Sequence, residues 1–455
     1  MAYSRWDEME FGQALHPVTC GLGITIGGGQ VIPEVKYAPR PGKEADYDTL
    51  RQEYAHVTEQ VLERAVQLGF PGLLLELEHV FQLTDNPAWG AGITAQTKEQ
   101  MVQYHEKYGI PLALRVTIAD IRRPEHGLRE GSPELAKMLE SFERCAAAGA
   151  DILSIESIGG KEVFNHCVTR QDIAGMLFAV GVLGSADMEF LWERIVAIAN
   201  AHGIVPGGDT DCAHANSAMF LAGGLLNNEL PHTFAALVRA IGAARSLVAF
   251  ECGATGPDKD CGYEGPVIKA ITGCPISMEG KSSACAHSDL MGNIAAAVCD
   301  LWSNEAVQYG DMFGGTTPAV FTEILGYDAA QFNAARALGY SREQRDILIH
   351  SDRLRDPQAF VISPDVAYEI GKAIVSEETD SDYRRARAAC LRAGELIQEA
   401  CAKQELLLTP LEKRALSEAL DTVAALPDDE EEFLALAWRR YQNLEELRPA
   451  SYGFS

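Results

Sequence analysis

Gly69-Phe70-Pro71-Gly72-Leu73-Leu74-Leu75-Glu76-Leu77-Glu78 is the stretch on which the fold turns. Ahead of it, from Asp48 onward, Tyr54, Val57, Val61, Leu62, Ala65 and Leu68 recur at helical spacing, and Gly69 ends that helix. Pro71-Gly72 then turns the chain into an apolar run that reads as a buried strand with acidic residues at its C-terminal end. The unit repeats in outline. A helix near 95–108 closes at Gly109, and Pro111 to Thr117 follows as a strand leading to Asp120 and Arg122. A helix near 133–148 closes at Gly149, and Asp151 to Ser157 follows with Glu156. A helix near 187–201 closes at Gly203, and Ile204-Val205-Pro206 leads to Asp209 and Cys212. A helix near 231–243 precedes Ser246 to Glu251, read as a strand, and Pro275 to Met278 precedes Glu279 and Lys281.

Helix, glycine, apolar strand and polar cluster, in that order, predict an α/β fold with parallel strands. No Gly-x-Gly-x-x-Gly opens a helix after a strand, and no phosphate loop is present. A (β/α)8 TIM barrel therefore fits better than an open doubly wound sheet, and it gathers the polar groups on one face. Residues 1–46 read as an irregular N-terminal extension with room for a short strand or two at Ile24 to Ile32, 47–330 as the catalytic barrel, and 331–455 as a helical C-terminal region packed on it. In that last part Thr409-Pro410-Leu411-Glu412 has the form of a capping box with proline at the first helical position.

Composition excludes several partners. Asp and Glu number 65 against 38 Lys and Arg, a net charge of −27, which argues against nucleic acid and anionic membrane. No uninterrupted apolar run reaches the length of a membrane span. Met1 to Phe11 is polar and acidic rather than a secretory signal, so a cytoplasmic location is expected. The 11 cysteines are scattered without a Cys-x-x-Cys pair and read as reduced thiols.

The chemistry concentrates in Gly207-Gly208-Asp209-Thr210-Asp211-Cys212-Ala213-His214-Ala215-Asn216, where a glycine turn delivers two carboxylates, a thiol and an imidazole. A tetrahedral metal would need further ligands from elsewhere. Glu156, a carboxylate ending an apolar strand, must be paired, neutral or metal-bound; Lys161 is its candidate salt-bridge partner. Two thiols compete for the remaining place: Cys261, in the polar turn Gly256 to Gly262, and Cys252, at the end of an apolar run. One carboxylate and two thiolates from separate strand ends would make a three-ligand zinc site with one open position, the mark of a catalytic rather than a structural site. Asp209 and Asp211 read either as groups that orient such ligands or as turn formers.

Three segments carry a resemblance: Ser154-Ile155-Glu156-Ser157-Ile158-Gly159-Gly160-Lys161, Gly208-Asp209-Thr210-Asp211-Cys212-Ala213 with Asn216, and Gly256-Pro257-Asp258-Lys259-Asp260-Cys261-Gly262-Tyr263-Glu264. They resemble the zinc-dependent methanol:corrinoid methyltransferases, the methanol-activating subunits of methanogens and methylotrophic acetogens. Asn86-Pro87-Ala88-Trp89-Gly90, Met278-Glu279-Gly280-Lys281, Cys285-Ala286-His287-Ser288-Asp289 and Tyr452-Gly453-Phe454 extend the likeness along nearly the whole chain. The resemblance implies a β/α barrel holding one zinc ion per chain through Glu156, Cys212 and Cys261, and so selects Cys261 over Cys252. It also implies cleavage of the C–O bond of zinc-bound methanol, with methyl transfer to Co(I) of a corrinoid held by a separate protein. The barrel top would stay open to that protein, and self-association as a homodimer is expected. Asp211, supported by Asp209, is the expected acid for the leaving oxygen, ahead of Lys161 and Lys259. Three other readings compete: a corrinoid methyltransferase for a methylamine or a methoxylated aromatic, a zinc hydrolase, and a scaffold whose thiols merely pack. No His-Glu-x-x-His supports the hydrolase.

Overall fold

The computed structural model describes residues 1–223, 229–287, 289–377 and 381–454; Ser288 of the Cys285–Asp289 stretch lies outside them. Nine strands build the part that positions the site: β1 (Gln13–Cys20), β2 (Ile24–Gly28), β3 (Ile32–Ala38), β4 (Leu73–Glu78), β5 (Leu112–Ile118), β6 (Ile152–Ile155), β7 (Val205–Pro206), β8 (Ser277–Glu279) and β9 (Leu301–Val307). The last seven form one parallel sheet in the order β7-β6-β5-β4-β3-β9-β8. The eighth position is filled by residues 255–258. Thr255 N donates to Pro206 O and Gly256 N to Gly207 O, each at 2.9 Å, and Ser277 N donates to Asp258 Oδ1 at 2.7 Å. The sheet thus closes into the expected barrel, with helices such as Tyr47–Gln67, Pro87–Tyr108, Pro133–Ala147, Ser185–His202, His232–Glu251 and Thr317–Ala337 around it.

Two expectations are corrected. The first barrel strand, β3, lies inside the segment read as an irregular extension, because Pro33, Glu34 and Lys36 break the apolar run that marks the other strands. Residues 246–251, read as a strand, are the end of the helix His232–Glu251. That helix is buried on nearly every side, and a short apolar run such as Leu247 to Phe250 within it cannot be told from a strand by its pattern. Helices Ile173–His202 and His232–Glu251 are long and apolar enough to cross a membrane, but 89% and 94% of their apolar windows are buried within the fold.

Alternation along the strands divides the barrel into levels. Leu73, Leu75 and Leu77 join the core shared with the helices, while Leu74 faces inward with Ile32, Ala113, Ile152 and Leu301. Ile24 and Ile26 of the β1–β2 hairpin pack into this inner apolar cluster, and Leu22 N donates to Leu112 O at 2.7 Å, so the hairpin plugs the N-terminal end. Above it the inward side chains are charged or polar: Glu34, Lys36, Glu76, Arg115, Thr117, Ser154, Ser277 and Ser303, all buried. Arg115 Nε lies 2.9 Å from Glu34 Oε1, and both side chains are fully enclosed.

The C-terminal helices pack on the barrel: Asp382–Ala402 lies along His232–Glu251. Thr409 accepts from Glu412 N at 3.2 Å, as a cap should, but the Glu412 carboxylate turns elsewhere. It accepts from His232 N at 2.8 Å and Thr233 N at 3.1 Å, capping the start of the barrel helix instead of completing its own box. The Tyr452 hydroxyl reaches back to the loop after β6, accepting from Gly160 N at 2.9 Å and donating to Glu162 Oε1 at 2.6 Å.

Arg122 is fully buried between Asp120 and Asp187, with its nitrogens 2.6–2.9 Å from their oxygens. Removing one partner of such a group leaves uncompensated charge in the interior. Arg122→Ala is expected to lower stability by about 3–5 kcal/mol, measured by urea unfolding.

Candidate metal centre at the barrel mouth

Glu156, Cys212 and Cys261 arrive at the mouth on three separate segments, and their ligand atoms all lie within 4.8 Å of one another. Glu156 follows β6 in the inward register of Ile152 and Ser154. Immediately after it the chain must turn sharply: Gly160 has φ +84°, and a Cβ there would collide with the carbonyl of Ala179. Cys212 opens a single π-helical turn, Cys212–Asn216, that runs into the helix Ser217–Gly223. Such turns recur at functional sites. Cys261 lies on the segment that follows the eighth barrel position. Glu156 is a quarter exposed, Cys212 half-buried and Cys261 buried, so the cluster opens upward from a closed floor.

The Cys261 thiol donates to Glu156 Oε1 at 3.0 Å, and Thr210 Oγ1 lies 3.3 Å from its sulfur. Asn216 Nδ2 donates to Cys212 Sγ and to Cys261 O, each at 3.3 Å, and its oxygen accepts from Arg239 Nη2 at 2.6 Å. Arg239 pairs with Glu264 at 3.0 Å, and Glu264 Oε1 accepts from Asp211 N at 2.6 Å. Both sulfur-bearing loops are therefore tied to one buried network.

Burial works to raise the Glu156 carboxyl, but Lys259 and Lys36 outweigh it and hold it below the ordinary value. Cys212 is lowered by its hydrogen bond with Cys261, yet burial and the Glu156 charge leave it raised. Burial, followed by the hydrogen bond with Cys212, pushes Cys261 well up. Two thiols and a carboxylate in mutual contact form a donor set that suits a thiophilic divalent ion, whose charge would displace the thiol protons.

Lys161 does not pair with Glu156. Its Nζ donates to Ala213 O and, at 2.8 Å, to Ser217 Oγ. The partner is Lys259, 3.0 Å from Glu156 Oε1. Cys252 caps the far end of the 20-residue helix His232–Glu251, with its sulfur 3.9 Å from Glu189 O, and takes no part in the cluster.

The methanol-cobalamin methyltransferase B subunit family model, MtaB, matches residues 1–453. The chain belongs to this family. It is 48% identical to a methanol–corrinoid protein co-methyltransferase of Methanosarcina barkeri, over all of this chain and 98% of that one. The fold superposes on the crystal structure of the methanol:cobalamin methyltransferase complex MtaBC from Methanosarcina barkeri with a TM-score of 0.97. That match has 48% identity and covers 100% of this chain and 99% of that one.

Asp209 and Asp211 are fully buried and already engaged. Asp209 accepts from Ser157 Oγ at 2.6 Å and Thr210 N at 2.7 Å, with Arg245 Nη2 at 3.7 Å. Asp211 Oδ1 lies 2.6 Å from His214 Nδ1 and 3.8 Å from Arg245 Nε, and its carboxylate rests against Gly242, where a side chain would collide with it. Both hold the Cys212 loop onto the helix His232–Glu251. The residues that reading by sequence passed over are Lys36, Glu76, Glu78 and Asp260, which surround Lys259. Their signal was the alternation of charges along β3 and β4.

Burial raises the Asp209 carboxyl from 3.8 to about 6. The folded chain therefore binds this proton more tightly than the unfolded one. The resulting stability is full below the unfolded value of 3.8 and is lost as pH rises through 6. Asp209→Asn should flatten the fall in stability across this window, checked by urea unfolding at stepped pH.

Proposed function

We propose that this chain transfers the methyl group of methanol to Co(I) of a corrinoid carried by a separate protein, using one zinc ion held by Glu156, Cys212 and Cys261. The observation that carries the reading is the convergence of these three donors within 4.8 Å, in a chain that matches its family over residues 1–453. When bound, zinc supplies Lewis acidity toward the oxygen of methanol. The residues do the rest. Asn216 and Thr210 orient the sulfurs, and Lys259 with Lys36 counters the negative charge that two thiolates and a carboxylate bring together. Asp211, expected from sequence as the acid with Asp209 in support, is better suited, as is Asp209, by its buried partners to fixing the loop.

Access supports a large partner. A cavity of about 90 Å³ opens between the C-terminal ends of β3, β4 and β9, lined by Lys36, Tyr37, Glu78, His79, Ala306 and Val307 among others. Phe81, Phe220 and Leu290, on segments that follow β4, β7 and β8, are 44–46% exposed. Exposed apolar side chains on three segments that follow barrel strands suit a protein partner better than a hydrolase whose substrate is small and free. The M. barkeri relative is seen in a complex named for two subunits, which agrees with such a partner.

A second surface supports the homodimer. The outward stripe of the helix Thr317–Ala337, through Val320, Ile324, Tyr327, Ala334 and on to Leu338, carries no charge. The charged side chains of this helix point inward or sideways: Glu323 pairs with Arg64, Asp328 with Lys281, and Arg336 with Glu10. Phe313 and Tyr340, both exposed, extend the stripe. Two chains of charge −27 can approach where neither presents charge, and one helix face meeting its own copy satisfies two-fold symmetry.

Cys212→Ala is expected to abolish both zinc retention and formation of methylcobalamin from cob(I)alamin and methanol, followed by metal analysis and the visible spectrum. Full activity without bound zinc would refute the reading. Tyr327→Arg should shift the chain from dimer to monomer in light scattering and leave zinc content unchanged.

A further inference from the structure

Of the three donors, Cys212 stands furthest from its strand. Residues 207–211 separate it from β7, whereas Glu156 follows β6 directly. The loop after β6 grips the chain on both sides of this cysteine. Ahead of it, Ser157 Oγ donates to Asp209 Oδ2 at 2.6 Å. Behind it, the half-buried Lys161 donates from Nζ to the carbonyl of Ala213 and, at 2.8 Å, to Ser217 Oγ. Ser217 Oγ gives its own hydrogen to Ala213 O at 2.8 Å, so ammonium, hydroxyl and carbonyl close a ring of hydrogen bonds. Lys161 opens the helix Lys161–Val168, and Gly160 just before it is fixed through its N–H to the Tyr452 hydroxyl at 2.9 Å. The grip therefore comes from a firm base.

What Lys161 grips is the π-helical turn Cys212–Asn216. Asp211 O accepts from Ala215 N at 2.9 Å and, across the longer span of such a turn, from Asn216 N at 3.4 Å. A side chain that engages a carbonyl inside a helical turn opposes its tightening to the regular ladder. Tightening by one residue would rotate Cys212 by about 100° against the helix that follows. That helix, Ser217–Gly223, is held in place by buried Ala218, Met219 and Ala222 and cannot rotate in compensation. Asn216, at the far end of the turn, would lose its 3.3 Å contact with Cys212 Sγ. We propose that Lys161 is a positioning residue that holds this turn open and so keeps the Cys212 sulfur aimed at the metal. The proposal rests on the metal reading above and gives a role to the lysine that does not pair with Glu156.

The test uses the full-length chain, stripped of metal and loaded with one equivalent of Co(II), whose near-ultraviolet absorption grows with each thiolate that binds. Wild type is expected to show the absorption of two thiolates. Lys161→Met is expected to lose one thiolate's share and, in competition with a chelator, to hold zinc about 10–100-fold more weakly. Ser217→Ala removes one member of the same ring with little threat to folding, and is expected to weaken zinc binding several-fold. Urea unfolding of the metal-free variants separates aim from fold. A Lys161→Met chain that unfolds more easily but still binds cobalt through two thiolates overturns this proposal alone. If Lys161→Met does not fold, zinc affinity unchanged in Ser217→Ala overturns it. A wild type that takes up no ion, or binds it without sulfur, overturns the metal reading and this proposal with it.

Discussion

The structure depends on neutralising charge inside a closed sheet. Carboxylates pointing into a barrel are tolerable only where a cation meets them, since an unpaired charge in the interior costs several kcal/mol. Arg115 meets Glu34 at the lower polar level. Lys36 and Lys259 meet Glu76, Glu78, Asp260 and Glu279 above it. Three cations do not balance this many acids, and burial, followed by the neighbouring acids, holds Glu34 and Glu78 above the ordinary carboxylate value. The strained balance is greatest at the mouth, where two thiols join Glu156 and a divalent ion has the charge to relieve it.

The levels of the barrel follow from strand alternation. Leu74, Glu76 and Glu78 leave β4 on the same side, and that one strand passes from apolar floor to charged wall to rim. The helices see only Leu73, Leu75 and Leu77. Fold and site are thus written on opposite faces of the same strand, which allows a charged interior without weakening the outer core.

Much of this was legible beforehand. The glycine-punctuated units pointed to the barrel, and Glu156 and Cys212 stood out as candidate ligands by their surroundings, whereas only the family resemblance chose Cys261 over Cys252. β3 was hidden because Pro33, Glu34 and Lys36 do not resemble a strand until one knows that its inner face is charged. The strand expected at 246–251 failed for the opposite reason: a helix buried all round carries no period to read. The pairing of Glu156 with Lys259 rather than Lys161 joins residues about a hundred positions apart, and only closure of the barrel sets it.

The β1–β2 hairpin has its own bearing on traffic. Because Ile24 and Ile26 pack into its floor, the lower end of the barrel is stopped by the chain's own hairpin. Alcohol must enter and water must leave through the opening that a docked macrocycle would cover. Were a carrier to seat over that mouth, small molecules would have to pass before it docks or after it leaves.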